Sequence, residues 1–196
     1  MAKREVRLAL PAEIREGAGD DGEGVRVAGY AAVFGEAADI GGWFNEVIER
    51  GAFDDVLQDD VPFLINHEGL PLARTRSGTL NITQDDRGLF IETVLDPADS
   101  DVARIIPKMK RGDLDKMSFA FSVGIEEWDE TGDIPVRTLK KFDRLYDVAI
   151  VTSPAYDGTE IGLRCLEEHR AEREAKPVSS GTLARVRMKS KLAGMR

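Results

Sequence analysis

The chain has two histidines, His67 and His169. His169 sits in a charged C-terminal segment, so His67 is the one imidazole of the body. Chemistry that needs paired body histidines is excluded, and with it most zinc sites. His67 ends the apolar run Val61-Pro-Phe-Leu-Ile-Asn-His67. There it either caps a strand or serves as a general base, since imidazole titrates near neutrality. In Asp115-Lys-Met-Ser-Phe-Ala-Phe-Ser-Val123, Ser118, Ala120 and Ser122 share one strand face and Phe119, Phe121 and Val123 the other. Small, polar residues on one face of an apolar strand mark either a solvated or tight face or a serine nucleophile. Such a serine needs a neighbouring base. Ser122 is the rival of Ser118. Asp147 interrupts the apolar run Tyr146-Asp-Val-Ala-Ile-Val-Thr-Ser-Pro154. A buried carboxylate needs partners. They are backbone amides or Arg144 in one reading, and in the other an imidazole that the carboxylate orients. Asp143 is the fallback. Histidine, serine and aspartate in this order fit no short signature, and Gly-x-Ser-x-Gly is absent. Cys165 has no body histidine beside it to make it a nucleophile.

The elements that must position these residues are mostly short strands. Residues 3–10, Val25 to Phe34, Val61 to His67, Gly78 to Thr83, Leu89 to Leu95, Met117 to Trp128 and Lys140 to Thr152 read as strands. Gly29 inside the second predicts a bulge or bend. Asp85-Asp-Arg-Gly88 makes a hairpin of the two strands around it. Residues 15–24 read as a loop, and Asn45 to Arg50 and Phe53 to Gln58 as short helices. Ser100 to Gly112 is the best helix, with Asp99 or Ser100 as its cap. Val102, Ile105, Ile106 and Met109 form its apolar stripe, and Pro107 is its one blemish. Gly162 to Glu174 reads as a charged helix. Strands outnumber helices, which predicts a mainly β fold with some α, a barrel or sandwich carrying a few helices.

Composition bounds the rest. With 196 residues and 42% apolar content the chain can build one cored domain. No apolar stretch reaches the roughly 20 residues of a membrane span. The opening Met1-Ala-Lys-Arg-Glu5 has no apolar run behind it, so no secretory signal is expected. A single cysteine excludes a disulfide framework. The net charge is −9, yet residues 176–196 carry six basic residues and no acid. The body is therefore strongly acidic, which argues against nucleic acid as its main partner. The domain reading is a body over 1–165, followed over 166–196 by a charged helix and a basic, flexible tail.

In order along the chain, several segments resemble the prohead (capsid maturation) proteases of tailed phages. Gly29-Tyr-Ala-Ala-Val-Phe34 and Glu49-Arg-Gly-Ala-Phe53 precede Phe63-Leu-Ile-Asn-His67. Pro71-Leu-Ala-Arg-Thr75, Gly78-Thr-Leu80 and Asp86-Arg-Gly-Leu89 follow. Lys110-Arg-Gly-Asp-Leu114 leads into Lys116-Met-Ser-Phe-Ala-Phe121, and Asp147-Val-Ala-Ile-Val-Thr-Ser-Pro-Ala-Tyr156 comes last. Each motif is short; their order carries the resemblance, over roughly residues 25–160.

The resemblance implies a serine endopeptidase with a herpesvirus-protease-like fold, a closed or partly open β-barrel flanked by helices. It implies His67 as base, Ser118 as nucleophile and Asp147 as third member. The herpesvirus relatives use a second histidine in that place, which this body lacks. No cofactor or metal is implied. The implied substrates are scaffold segments, the major capsid protein and the protease itself, inside the assembling prohead in the bacterial cytoplasm. The herpesvirus relatives also point to a homodimer. The rival from another class is a non-catalytic capsid-assembly or scaffold-binding protein of the same fold. For the oxyanion, backbone amides of the Gly-rich turns or a water held by Arg74, Arg76 or Arg144 are candidates.

Overall fold

A computed structural model describes residues 3–8, 15–18, 24–152 and 158–175. The expected basic tail and the segment Ser153 to Tyr156 lie outside them. Eleven strands and two helices are described. They are β1 (Glu5–Leu8), β2 (Arg15–Ala18), β3 (Val25–Val33), β4 (Ala38–Ile40), β5 (Phe44–Ile48), β6 (Pro62–Ile65), β7 (Glu68–Arg74), β8 (Leu80–Gln84), β9 (Gly88–Leu95), α1 (Ser100–Lys110), β10 (Lys116–Asp129), β11 (Val136–Val151) and α2 (Gly158–Ala175).

The strands form two sheets. One is mixed, in the order β1-β10-β11-β5-β4, with β6 pairing parallel to the C-terminal part of β11 and β7 pairing to β6. The other is antiparallel, in the order β2-β3-β9-β8. Both sheets and α1 share one apolar core. Phe63, Phe119, Phe121, Phe142, Val148 and Ile150 come from the first sheet, Val27, Leu89, Ile91 and Leu95 from the second, and Val102, Ile105 and Ile106 from α1. The fold is thus mainly β with a few helices. No closed barrel is found among the described residues.

α1 follows its sequence signals closely. The Asp99 side chain accepts from the Asp101 amide at 2.8 Å, a cap that contributes about 1 kcal/mol. Gly112, with φ 74°, ends the helix in a Schellman arrangement. Its amide donates to the Met109 carbonyl and the Asp113 amide to that of Lys108. The helix runs through Pro107.

Other expectations need correction. Phe44–Ile48 is a strand where a helix is predicted from Asn45. Phe44, Glu46 and Ile48 are its buried positions, and Glu46 is polar because it pairs with Arg7 and Arg137. A charged residue in the buried set hides the two-residue period. Phe53 to Gln58 is a series of tight turns with three-residue hydrogen bonds rather than a helix. The segment read as a loop over 15–24 contains β2, which pairs with β3. The bend expected at Gly29 is a register shift between Tyr30 and Ala32. α2 begins before the 165/166 boundary, and Cys165 and Leu166 pack on Ile40 and Phe44.

Candidate active site

Three neighbouring strands set out one face. Ser118 on β10 is in register with Ala149 on β11, and Ala149 with Leu64 on β6. Asp147, Ala149 and Val151 alternate onto that face. Leu64, Ala149 and Val151 form a small apolar cluster there. The other face of the same strands, bearing Phe119, Phe121, Val148, Ile150 and Phe63, belongs to the main core. Expected alternation on β10 therefore holds around Ser118, but both of its faces are buried. β11 carries an extra residue, Tyr146, where the pairing steps from Ala120↔Asp147 to Phe121↔Leu145. That bulge lets Leu145 join the core while Asp147 stays on the site face.

His67 reaches this face from the β6–β7 turn. Ile65 pairs with Glu68, so Asn66 and His67 are the two turn residues. Both have positive φ, 53° and 63°. Two successive left-handed residues are the mark of a type I′ hairpin turn, which favours Asn-Gly. Asn66 fits that preference. The Asn66 amide donates to the Ile150 carbonyl at 3.0 Å, and its side chain accepts from the Thr152 amide at 3.0 Å. Histidine in the glycine position is a strained choice, and such strain gathers at functional sites.

The imidazole joins the other two residues. His67 Nδ1 lies 2.5 Å from Asp147 Oδ1, and His67 Nε2 lies 2.8 Å from Ser118 Oγ. With Nδ1–H donating to the carboxylate, Nε2 is the lone-pair nitrogen and accepts the Ser118 hydroxyl proton. Ser118 Oγ also lies 2.7 Å from the Arg7 carbonyl oxygen on β1. One proton thus faces two acceptors. Ser118 and Asp147 are buried, while the His67 side chain keeps 11% of its surface exposed.

Other candidates fall elsewhere. Ser122 is buried further along β10, beyond the bulge, in register with Arg144. Arg144 stacks over the Tyr146 ring, 5.3 Å to its centroid. Arg74 forms a two-point ion pair with Asp60. Asp143 is exposed. Cys165 lies near Glu5, and burial first, then the Glu5 charge, push its thiol upward.

Sequence reasoning missed the partner on the far side of Asp147. Arg4 Nη2 donates to Asp147 Oδ2 at 2.6 Å. It missed a buried ionic cluster as well. Arg7 pairs with Glu5 and Glu46, and Arg137 with Glu5, Glu46 and Glu126. Burial alone would raise the Glu5 carboxyl, but Arg137 and Arg7 outweigh it and hold it down at about 2. Among the described residues no group of three or more His, Cys, Asp or Glu side chains could hold a metal, and no helix is long and apolar enough to cross a membrane.

A nucleophile, a base and an orienting carboxylate joined through one imidazole can perform acyl transfer. The comparisons with known proteins point the same way. A family model described as caudovirus prohead serine protease matches residues 11–173. The chain is similar to the prohead protease of Enterobacteria phage HK97, 29% identical over 144 residues, which is 70% of this chain. It spans 58% of the length of that curated relative. No solved structure matches. With most of its length covered by the family model, this chain belongs to the caudovirus prohead serine protease family.

Proposed function

We propose that the chain is a serine endopeptidase that cleaves scaffold and capsid-protein segments, and itself, during prohead maturation. The observation that carries this reading is the single imidazole bonded to both Asp147 and Ser118. Ser118 Oγ attacks the scissile carbonyl carbon while its proton passes to His67 Nε2. The same nitrogen then protonates the leaving amine. Water, deprotonated by His67, hydrolyses the acyl-enzyme and restores the serine. Asp147 holds the Nδ1–H tautomer and balances the imidazolium. A partly open, herpesvirus-protease-like barrel belongs to the same proposal, with the two sheets around their shared core as its support. So does action inside the assembling prohead, where the substrates are.

The test is intact mass over time for wild type and Ser118→Ala, alone and with the capsid protein. Fragments that form in wild type and are absent with Ser118→Ala are the expected result. His67→Ala should match Ser118→Ala, each losing on the order of 10⁶ in rate, and Asp147→Asn about 10⁴. Intact protein in every wild-type sample would favour the non-catalytic assembly reading. Cleavage that persists in Ser118→Ala would move the nucleophile.

A further inference from the structure

We infer that Arg4 is a positioning residue of this site, acting through Asp147; the inference rests on the catalytic reading above. Asp147 has 4% of its side chain exposed. A carboxylate so buried must satisfy both oxygens or lose the hydrogen bonds it had in water. Oδ1 is used by His67 and Oδ2 by Arg4, at 2.5 and 2.6 Å. Carboxylate torsions are broad and roughly two-fold. With one oxygen held, the plane can still swing and carry the imidazole with it. With both held, Oδ1 is fixed toward Nδ1 and Nε2 toward Ser118. Charge-assisted bonds of this kind are short and roughly twice as strong as neutral ones.

The strand register explains how Arg4 arrives there. Val6 pairs with Ala120, and Ala120 with Asp147. Arg4 precedes β1 on the same face as Val6. Only the small Ala120 intervenes in register between β1 and the carboxylate. The guanidinium also lies over the Tyr146 ring, 5.9 Å to its centroid, at the β11 bulge.

A plain anchoring role for β1 does not account for this contact. β1 is already held by four register pairs to β10 and by the buried pairs of Glu5 and Arg7. The Arg4 side chain itself is 48% exposed. As an ordinary surface ion pair it would add little to stability. Its distinctive consequence is orientation of the carboxylate.

The experiment measures kcat and KM on a peptide spanning a cleavage site mapped by mass, for wild type, Arg4→Ala, Arg4→Lys and Ser118→Ala. Expected is a fall in kcat of about 10- to 100-fold for Arg4→Ala, by analogy with the loss of an outer hydrogen-bond partner that orients a metal-ligating residue. KM should stay within about twofold, because substrate contacts are unchanged. Arg4→Lys should recover most of the loss. Ethylguanidinium should restore Arg4→Ala in a saturable way, since the vacated space opens to solvent, and should leave wild type unaffected. Wild-type kcat in Arg4→Ala overturns the inference. So does a loss that follows reduced thermal stability and responds neither to lysine nor to ethylguanidinium, because Arg4 would then only clasp β1. Full activity in Ser118→Ala would instead bring down the catalytic reading and this inference with it. An inactive Ser118→Ala beside a normal Arg4→Ala brings down this inference alone.

Discussion

At the scale of single residues, the candidate site is joined by a histidine in a conformation that suits glycine. His67 has φ 63°, where an L side chain costs about 1–2 kcal/mol. Glycine takes that region freely but loses more chain entropy on folding. Ala and Gly at position 67 lose the same imidazole contacts, so their comparison isolates the backbone. His67→Gly should be more stable than His67→Ala by about 1 kcal/mol, read from urea unfolding midpoints at constant slope. Equal stability would mean that the turn carries no such strain. The three candidate residues could be singled out for physical reasons, while their roles came from the family resemblance. A histidine ending an apolar run, small residues on an apolar strand and an acid within an apolar run each stand out locally, although the second histidine, His169, also packs on the body by stacking on Trp128. Arg4 did not stand out, because a basic residue near the start of a chain looks like a solvated charge. Its partner is 143 positions away, and only the pairing of β1, β10 and β11 brings them together.

At the scale of elements, alternation and capping were enough wherever burial followed polarity. α1 and β8 obey this rule, whereas β9 buries Thr93 and exposes Val94. β5 does not obey it, because Glu46 is buried with arginine partners, and β7 does not, because residues 68–71 are all exposed. Among the described residues β7 lies at the sheet edge, paired only to β6, so no apolar period marks it. Close approach between strands is equally hard to read from sequence. A Cβ at Gly88 would run into the Ala32 carbonyl oxygen where β9 meets β3. That obstacle is backbone, which cannot turn aside as a flexible side chain can. Gly88→Ala should therefore cost about 1–3 kcal/mol, measured by thermal unfolding. Amide exchange should rise at Ala32 and Val33 before it rises in β10. An unchanged melting temperature would show that β3 yields without cost.

At the scale of the whole molecule, the buried ionic cluster ties β1, β5, β10 and β11 together. Its acid response has a definite sign. The Glu5 carboxyl is held at about 2 in the folded chain, against an ordinary value of 4.5 when unfolded. The unfolded chain therefore takes up the proton first as pH falls. The stabilisation is complete above about pH 4.5 and is lost as pH falls through about 2. Glu5→Gln should cost about 3–5 kcal/mol at neutral pH, as removal of one partner from a buried ion pair does. That deficit should shrink between pH 4.5 and 2, measured by denaturant unfolding across the range. A deficit that does not change with pH would detach it from this carboxyl. The same long pairings bear on how the molecule is made. The candidate site needs Arg4, His67, Ser118 and Asp147, and β11 is the strand on which both β6 and β10 register. During synthesis from the N-terminus, the first three residues emerge without the strand that aligns them. Until β11 has left the ribosome, the nascent chain holds every earlier part of the site and no assembled site. Emergence of β11, rather than of any single site residue, is thus the event that brings the candidate site into being.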